Sequence, residues 1–430
     1  MSIVNVISAI GNNNSVYPLL VRDCGIENPV KVALTYKQNK DDKDIAMLAT
    51  RERLFDEYVT SAVWLGVIPL LEKGSDKIIA KKGFNPAISL KLQKEEACQG
   101  LEYNIKKFKN LAPDAVKDLE FLKNNGAKYK KLLGKKVLAE TAIPIALMGF
   151  VIPKLLFAWT AKTKKELSPD GKMTPKSDKS QSENVQKKVS FGQMKSFDEF
   201  KNVNSEKISF KGNFVSSLAD LSTVQKMALT DGGYAAGRLA TARKKNETID
   251  IAFKMAGMMY LNFLFPKQLA KFLDKTTGSL LGSNLNLDIK MFNDKDFISS
   301  IKQGKLGIPD VKSEKELLDF VDNNPKNMFV QYANKYKKVS LLDNGVRDPR
   351  KYVDLKGLMK FKDDILDVSK KAVASGDVSK FMKKAKVLKG ANILANVGIS
   401  SFLLAFALPK AQFAFRQVVT GSGFEPGIVD

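Results

Sequence analysis

Four stretches of this chain are almost purely apolar, and the segments between them mix charged and apolar positions at helical spacing. The apolar stretches cover residues 58–71, 141–161, 255–266 and 390–409. A hydrocarbon core about 30 Å thick is crossed by roughly 20 apolar residues of helix. The run 390–409 carries no charged side chain and 141–161 is broken only by Lys154, so both reach spanning length. The other two are shorter, and runs of that size are more often re-entrant, interfacial or core helices. The order of expectation is therefore 390–409, then 141–161, then 58–71, then 255–266.

Each apolar stretch carries a proline near its far end, at Pro69, Pro153, Pro266 and Pro409. Proline has no N–H to donate and its ring collides with the carbonyl four residues back, so a kink or a stop is expected at each. In three cases a lysine follows directly, Lys154, Lys267 and Lys410. A long amphipathic side chain there is expected to extend its ammonium group to the lipid headgroups.

The remaining elements follow from local signals. Leu48, Leu54, Phe55, Tyr58 and Val59 recur at helical spacing and predict a helix that enters 58–71. Asn28-Pro29 marks a helix start, and residues 100–136 read as one or two amphipathic helices with Asp114 near an N-terminus. Ser313 and Glu316 have capping-box spacing, and Asp343-Asn344-Gly345 is a tight turn. Residues 88–92 (ISLKL) suit a short strand or extended strap, and Asp231-Gly232-Gly233 a turn or helix break. Residues 162–212, rich in Lys and Ser, hold too little apolar surface to fold and are read as a disordered linker. Residues 290–350 form a polar, mostly helical insertion.

The two sides of that linker share an order of landmarks. Ala33-Leu34-Thr35, Pro69, Gly83, Lys136-Val137-Leu138 and Pro153-Lys154 are matched by Ala228-Leu229-Thr230, Pro266, Gly282, Lys386-Val387-Leu388 and Pro409-Lys410. Aromatic pairs follow each final Pro-Lys, ending at Trp159 and Phe415. The expected fold is mainly α: a membrane-associated helical protein with an internal two-fold tandem repeat, two hydrophobic helices per copy. Copy 1 spans 1–161 and copy 2 spans 213–430, with the insertion at 290–350 in the second.

Charge brings in the partner. Seventy Lys plus Arg face 46 acidic residues, a net charge of +24, which suits an anionic surface. Lysine dominates, and point charges serve diffuse attraction to anionic lipid better than specific nucleic-acid readout. The residues expected at the headgroup level are Lys135, Lys136, Lys154, Trp159, Lys267, Lys383, Lys384, Lys386, Lys389, Lys410 and Phe415. Histidine is absent, which removes His-based metal sites and every Ser-His or Cys-His nucleophile pair. Cys24 and Cys98 match no metal or redox spacing. No cofactor, metal site or catalytic constellation is expected, and no acidic residue lies inside the apolar stretches. No basic residue precedes Arg22, so insertion through an internal segment is expected rather than a cleaved signal.

The leading expectation is a non-enzymatic structural, scaffolding or interaction protein, integral to or tightly attached to a membrane, that binds anionic lipid through lysine-rich flanks. The lysine-rich connections at 72–140 and 275–389 would face the cytoplasm, and the polar insertion would be free to meet a protein partner. One alternative is a transporter- or channel-like protein of two parallel repeats, for which Asn262, Asn392, Asn396, Ser400 and Ser401 are the polar candidates. The other is a soluble basic nucleic-acid-binding protein with the apolar stretches as its core.

Overall fold

The computed structural model describes residues 3–10, 20–94, 98–168, 173 and 213–429. Among these the chain is helical over most of its length and contains no strand. The helices are α1 (Ile3–Ile10), α2 (Asn28–Gln38), α3 (Lys43–Lys81), α4 (Leu101–Phe108), α5 (Pro113–Leu167), α6 (Asn213–Leu218) and α7 (Thr223–Thr241). They continue with α8 (245–281), α9 (Lys295–Lys302), α10 (Glu314–Asn323), α11 (Met328–Lys335), α12 (Leu355–Ala374) and α13 (Val378–Thr420). Three of them, α3, α5 and α13, are long and apolar enough to cross a membrane. Helix α8, which carries the shortest apolar stretch, is not among them. The linker expected over 162–212 lies outside the described residues, apart from 162–168, most of which belongs to α5, and from Met173 and the start of α6.

None of the four prolines ends its helix. Each is instead preceded by a five-residue π-helical turn: Val63–Val67, Leu147–Val151, Tyr260–Leu264 and Leu403–Ala407. The residue just before the proline donates its N–H five residues back, Ile68 to Val63, Ile152 to Leu147, Phe265 to Tyr260 and Leu408 to Leu403. A proline in the helix interior costs about 3 kcal/mol through the missing bond and the ring clash. Widening the turn by one residue moves the preceding carbonyl away from the ring, and the helix continues. A further π turn, Asp23–Glu27, stands in the same relation to Asn28-Pro29 at the start of α2.

Two compact units can be described separately. The first comprises Met1–Glu27, Pro69–Lys130 and Met255–Leu408. Its core is built on the insertion and the helices after it, with Phe292, Phe297, Leu317, Leu318, Phe329, Leu358, Ile365, Val368 and Met382 all but fully buried. The insertion therefore contributes packing and not only polar surface. It is joined to residues 84–129 by polar contacts. Arg347 is fully buried, pairs with Asp322 at 2.6 Å and lies 4.9 Å over the Phe108 ring. Gln99 exchanges two hydrogen bonds with the backbone of Val353, at 3.0 and 2.8 Å, and Arg350 pairs with Asp118 at 3.0 Å.

The stretch 88–92, expected to be extended, ends in a single 3-10 turn, Leu90–Gln93. The Tyr129 hydroxyl donates to the carbonyls of Asn85 and Ile88, and Ser89 N–H donates to Arg350, so its backbone groups are satisfied without a strand partner. The glycines that close α3 and α8, Gly83 and Gly282, both adopt positive φ (82° and 69°), the left-handed stop that glycine takes without Cβ strain. The Ser313–Glu316 capping box forms as its spacing predicts.

The second unit comprises Asn28–Ile68, Lys131–Lys254 and Pro409–Asp430. Here α7 runs helically through Asp231-Gly232-Gly233, where the dipeptide of glycines predicted a break. The reason is close packing. A Cβ on Gly237 would lie 2.7 Å from the Cα of Gly149 in α5, and one on Gly233 would meet Ile145 at 2.4 Å. The Thr241 hydroxyl donates across the same crossing to the Gly149 carbonyl at 3.3 Å. Small residues at i and i+4 thus let two backbones approach, as they do between membrane helices.

This crossing separates two glycines that look alike in sequence. Gly237→Ala should destabilise the protein by about 1–3 kcal/mol through overpacking. Gly232→Ala, whose Cβ would meet nothing within 4 Å, should be neutral or stabilise by roughly 0.5–1 kcal/mol from helix propensity. Thermal melts of the detergent-purified protein read both, and equal effects at the two positions would refute the close-packing account.

Candidate functional site

Charged side chains converge at two places, one in each unit. In the second unit, α3 carries Glu52, Arg53, Asp56 and Glu57 on one and a quarter turns directly ahead of its apolar stretch. Their helical phase turns them inward, where partners from α2, α5, α7, α8 and the connection between α7 and α8 meet them. Glu57 is shared by Lys31 at 3.2 Å, Lys254 at 3.2 Å and Arg53 at 3.5 Å. Asp56 pairs with Arg238, which also faces the Tyr234 ring at 5.9 Å. Glu52 accepts from Arg243 and from the Thr160 hydroxyl, each at 2.8 Å.

Arg243 also holds Glu247 at 2.6 Å, and Arg416 grips Asp250 through two nitrogens at 3.0 Å and Glu425 at 2.8 Å. Gln412 adds a bond to Asp250 at 2.7 Å. Acids and bases balance: Glu52, Asp56, Glu57, Glu247, Asp250 and Glu425 face Lys31, Arg53, Arg238, Arg243, Lys254 and Arg416.

Balance is what makes this burial tolerable. An isolated buried ion costs several kcal/mol of desolvation, which only well-placed partners offset. Burial pushes the Lys254 ammonium down, reinforced by Arg53, while Glu57 pulls it back. Burial works to raise the Glu425 carboxyl, but Arg416, Arg53 and Lys254 together outweigh it and leave it low. Satisfaction is incomplete at the centre, where Asp56 Oδ1 and the Nε and Nη1 of Arg238 are buried without a hydrogen-bond partner. On α7 two turns before Arg238, burial alone raises the Asp231 carboxyl from 3.8 to about 7.

The second place is a cavity of about 740 Å³ in the first unit, walled by α8, α12, α13 and the segment 286–291. On α13, Lys389, Asn392 and Asn396 recur at i, i+3 and i+7 and so share a face. Lys389 pairs with Asp274 of α8 at 2.9 Å. The Asn392 amide, almost fully buried, donates to Asp274 at 2.8 Å and to the Thr277 hydroxyl at 2.6 Å. The Asn396 amide donates to the Pro266 carbonyl at 3.0 Å. Opposite, Asp364 accepts from Lys360 at 2.7 Å and Asn286 at 2.9 Å. The remaining wall is apolar, with Leu287, Ile289, Met291, Ile393 and Val397. The cavity can take up a solute with a polar end and an apolar end. No group of three or more carboxylate or thiol ligands able to hold a metal occurs among the described residues.

The residues expected at a lipid surface divide into two sets. Lys135, Lys154, Lys383 and Lys410 are exposed. The others are drawn into protein contacts: Lys136 with Glu140 at 3.8 Å, Lys384 with the Leu280 carbonyl at 3.3 Å, Lys386 with Asn293 at 3.1 Å and Lys389 with Asp274. Lys267 is exposed and lines the cavity. Trp159 packs edge-on to Phe55 and beneath the Arg51 guanidinium, 4.1 Å from its ring, while Phe415 stacks on Phe253 at 4.4 Å. The charge network was not expected from sequence, and its one visible signal was four ionisable residues packed against the start of an apolar run. No known family model, curated protein or solved structure matches the chain.

Two measurements probe the network. Arg238→Met should destabilise the fold by about 3–5 kcal/mol by leaving Asp56 buried and unpaired, and adding Asp56→Leu should recover part of that loss. Purely additive losses in denaturant or thermal unfolding would remove the pairing from the account. Asp231 gives a pH signature. A carboxyl raised in the folded state keeps a proton that the unfolded chain has lost, so its contribution to stability falls as pH rises from about 3.8 to about 7. Asp231→Asn should flatten that part of the stability–pH curve, and an unchanged slope would contradict the burial.

Proposed function

We propose that this protein is a non-enzymatic membrane scaffold of duplicated architecture that attaches to anionic lipid through lysine-rich flanks. The observation that carries the reading is the composition of the first unit. Its segments 69–130 and 255–408 hold most of the lysine-rich connection 72–140 and all of the connection 275–389, and they are joined into one compact body through Gln99–Val353, Arg350–Asp118 and Arg347–Asn104. Connections that pack into one body lie on one side of a bilayer. That is the topology of two parallel copies, each with a pair of membrane helices, and the lysine excess makes it the cytoplasmic side.

The duplication draws support from the recurrence of one local device. A π turn followed by X-Pro stands in each of the four apolar stretches, and the first stretch of each copy leads to a left-handed glycine, Gly83 or Gly282. Exposed Lys135, Lys154 and Lys383 remain available for headgroups, each worth about 1 kcal/mol beside an anionic surface. The absence of histidine and the pairing of the buried carboxylates with cations favour a structural role over catalysis.

Sided thiol labelling tests the topology together with the lipid attachment. In a Cys24→Ser/Cys98→Ser background, Lys117→Cys and Lys305→Cys should react with an impermeant maleimide from the same side of a sealed vesicle. Reversing the charge at Lys135, Lys154 and Lys383 should lower retention on vesicles containing anionic lipid and leave neutral vesicles unaffected. Labelling from opposite sides would sink the parallel arrangement, and lipid-independent retention would sink the flank attachment.

A further inference from the structure

We infer that the cavity of the first unit binds a small phosphorylated amphiphile, with its phosphate held by lysine ammonium groups and its apolar part against the aliphatic wall. The volume, about 740 Å³, lies within the range of roughly 300–1,000 Å³ that encloses a drug-sized ligand. Four lysines line it, Lys267, Lys338, Lys360 and Lys389, against three aspartates, Asp274, Asp288 and Asp364, which leaves one net positive charge.

The pairing pattern sharpens that excess. Lys389 is taken by Asp274 and Lys360 by Asp364. Lys267 and Lys338 form no ion pair among the described residues, and Lys338 stands 5.7 Å from the Phe361 ring. Two unpaired ammonium groups on one cavity suit a dianionic phosphate, which lysine binds as a point charge. Among the described residues Asp288 accepts the Ser8 hydroxyl at 3.3 Å and a backbone N–H from Lys290 at 2.8 Å, and it can also accept from a hydroxyl or amine beside the phosphate. The apolar wall distinguishes an amphiphile from a bare ion: Ile393 and Val397 of α13 gain nothing from inorganic phosphate but bury an alkyl group away from water.

Such chemistry has two sources, the headgroup region of an anionic phospholipid or a soluble organic phosphate. The site shares Lys267 with the residues expected at the headgroup level but uses none of Lys135, Lys154 and Lys383, to which the flank attachment is assigned, and its first test involves no bilayer. The full-length protein in neutral detergent is titrated by calorimetry with hexyl phosphate and, separately, inorganic phosphate. Hexyl phosphate should bind saturably, one per chain, and inorganic phosphate about tenfold or more weakly, as the apolar wall requires. Lys267→Gln/Lys338→Gln, both exposed positions that leave the core untouched, should weaken hexyl phosphate about tenfold or more. Val397→Trp, which fills the cavity, should abolish binding while the protein still melts cooperatively.

The source follows from competition. If reconstitution in nanodiscs of phosphatidic acid blocks hexyl phosphate and phosphatidylcholine nanodiscs do not, the ligand is a lipid headgroup. If neither blocks it, the ligand is a soluble phosphate. No saturable binding of hexyl phosphate, or binding unchanged in the lysine pair variant, overturns the proposal. Loss of folding in Val397→Trp leaves the lysine variant to decide it.

Discussion

A proline inside an apolar helix poses a backbone problem that side-chain packing cannot solve. It supplies no N–H, and in a low-dielectric setting a carbonyl left without a donor is costly. This chain meets the problem near the far end of each of its four apolar stretches and answers it there the same way, with a widened turn in which the residue before the proline bonds five residues back. The continuity of α3, α5 and α13 as membrane-length helices rests on that answer. So does the placement of everything that follows each proline, including the Gln412 and Arg416 side chains that hold Asp250.

Charge is handled by a second constraint, local neutrality. Beside the apolar stretch of α3, three near-consecutive carboxylates are each matched by cations from elsewhere in the unit, and Arg53 pairs with Glu57 one turn on. In a medium that penalises every unpaired ion, this network acts as a register pin: sliding any one helix along its neighbour would strand a charge. The cavity in the first unit follows a looser version of the rule. Its acids are answered by an amide, a hydroxyl or a lysine, and the lysines are left in excess. Full pairing gives rigidity, and incomplete pairing leaves capacity for a ligand.

What could be read in the sequence was what is decided locally. The apolar stretches, the Asn28-Pro29 helix start, the Ser313–Glu316 box and the Asn344-Gly345 turn depend on neighbours in the chain. Misreadings arose where a distant contact overrides a local preference. Gly232-Gly233 looks like a break, yet the helix continues because Gly233 and Gly237 receive Ile145 and Gly149. Residues 88–92 alternate like a strand, but Tyr129 and Arg350 take up their backbone groups. The charge network was least visible, since Asp56 and Arg238 lie 182 residues apart and nothing in either neighbourhood names the other. Of the cavity, Asn392 and Asn396 were apparent as polar positions in an apolar run, whereas Asp274 and Asp364 look like ordinary surface acids.

The π turns also bear on how such a chain can change its length. A five-residue turn holds one more residue than an α-turn while the helix on either side keeps its direction, so it amounts to an insertion absorbed on the spot. Elsewhere in a helix, one residue gained or lost rotates everything beyond it by about 100° and would scatter pairs such as Arg416–Asp250. Ahead of Pro69, Pro153, Pro266 and Pro409, a residue can be lost without that rotation, but only together with the proline, because the narrowed turn has no room for the ring. At these four places substitution and deletion are thus coupled, and the helices can exchange a widened, proline-bearing turn for an ordinary α-turn in a single paired step.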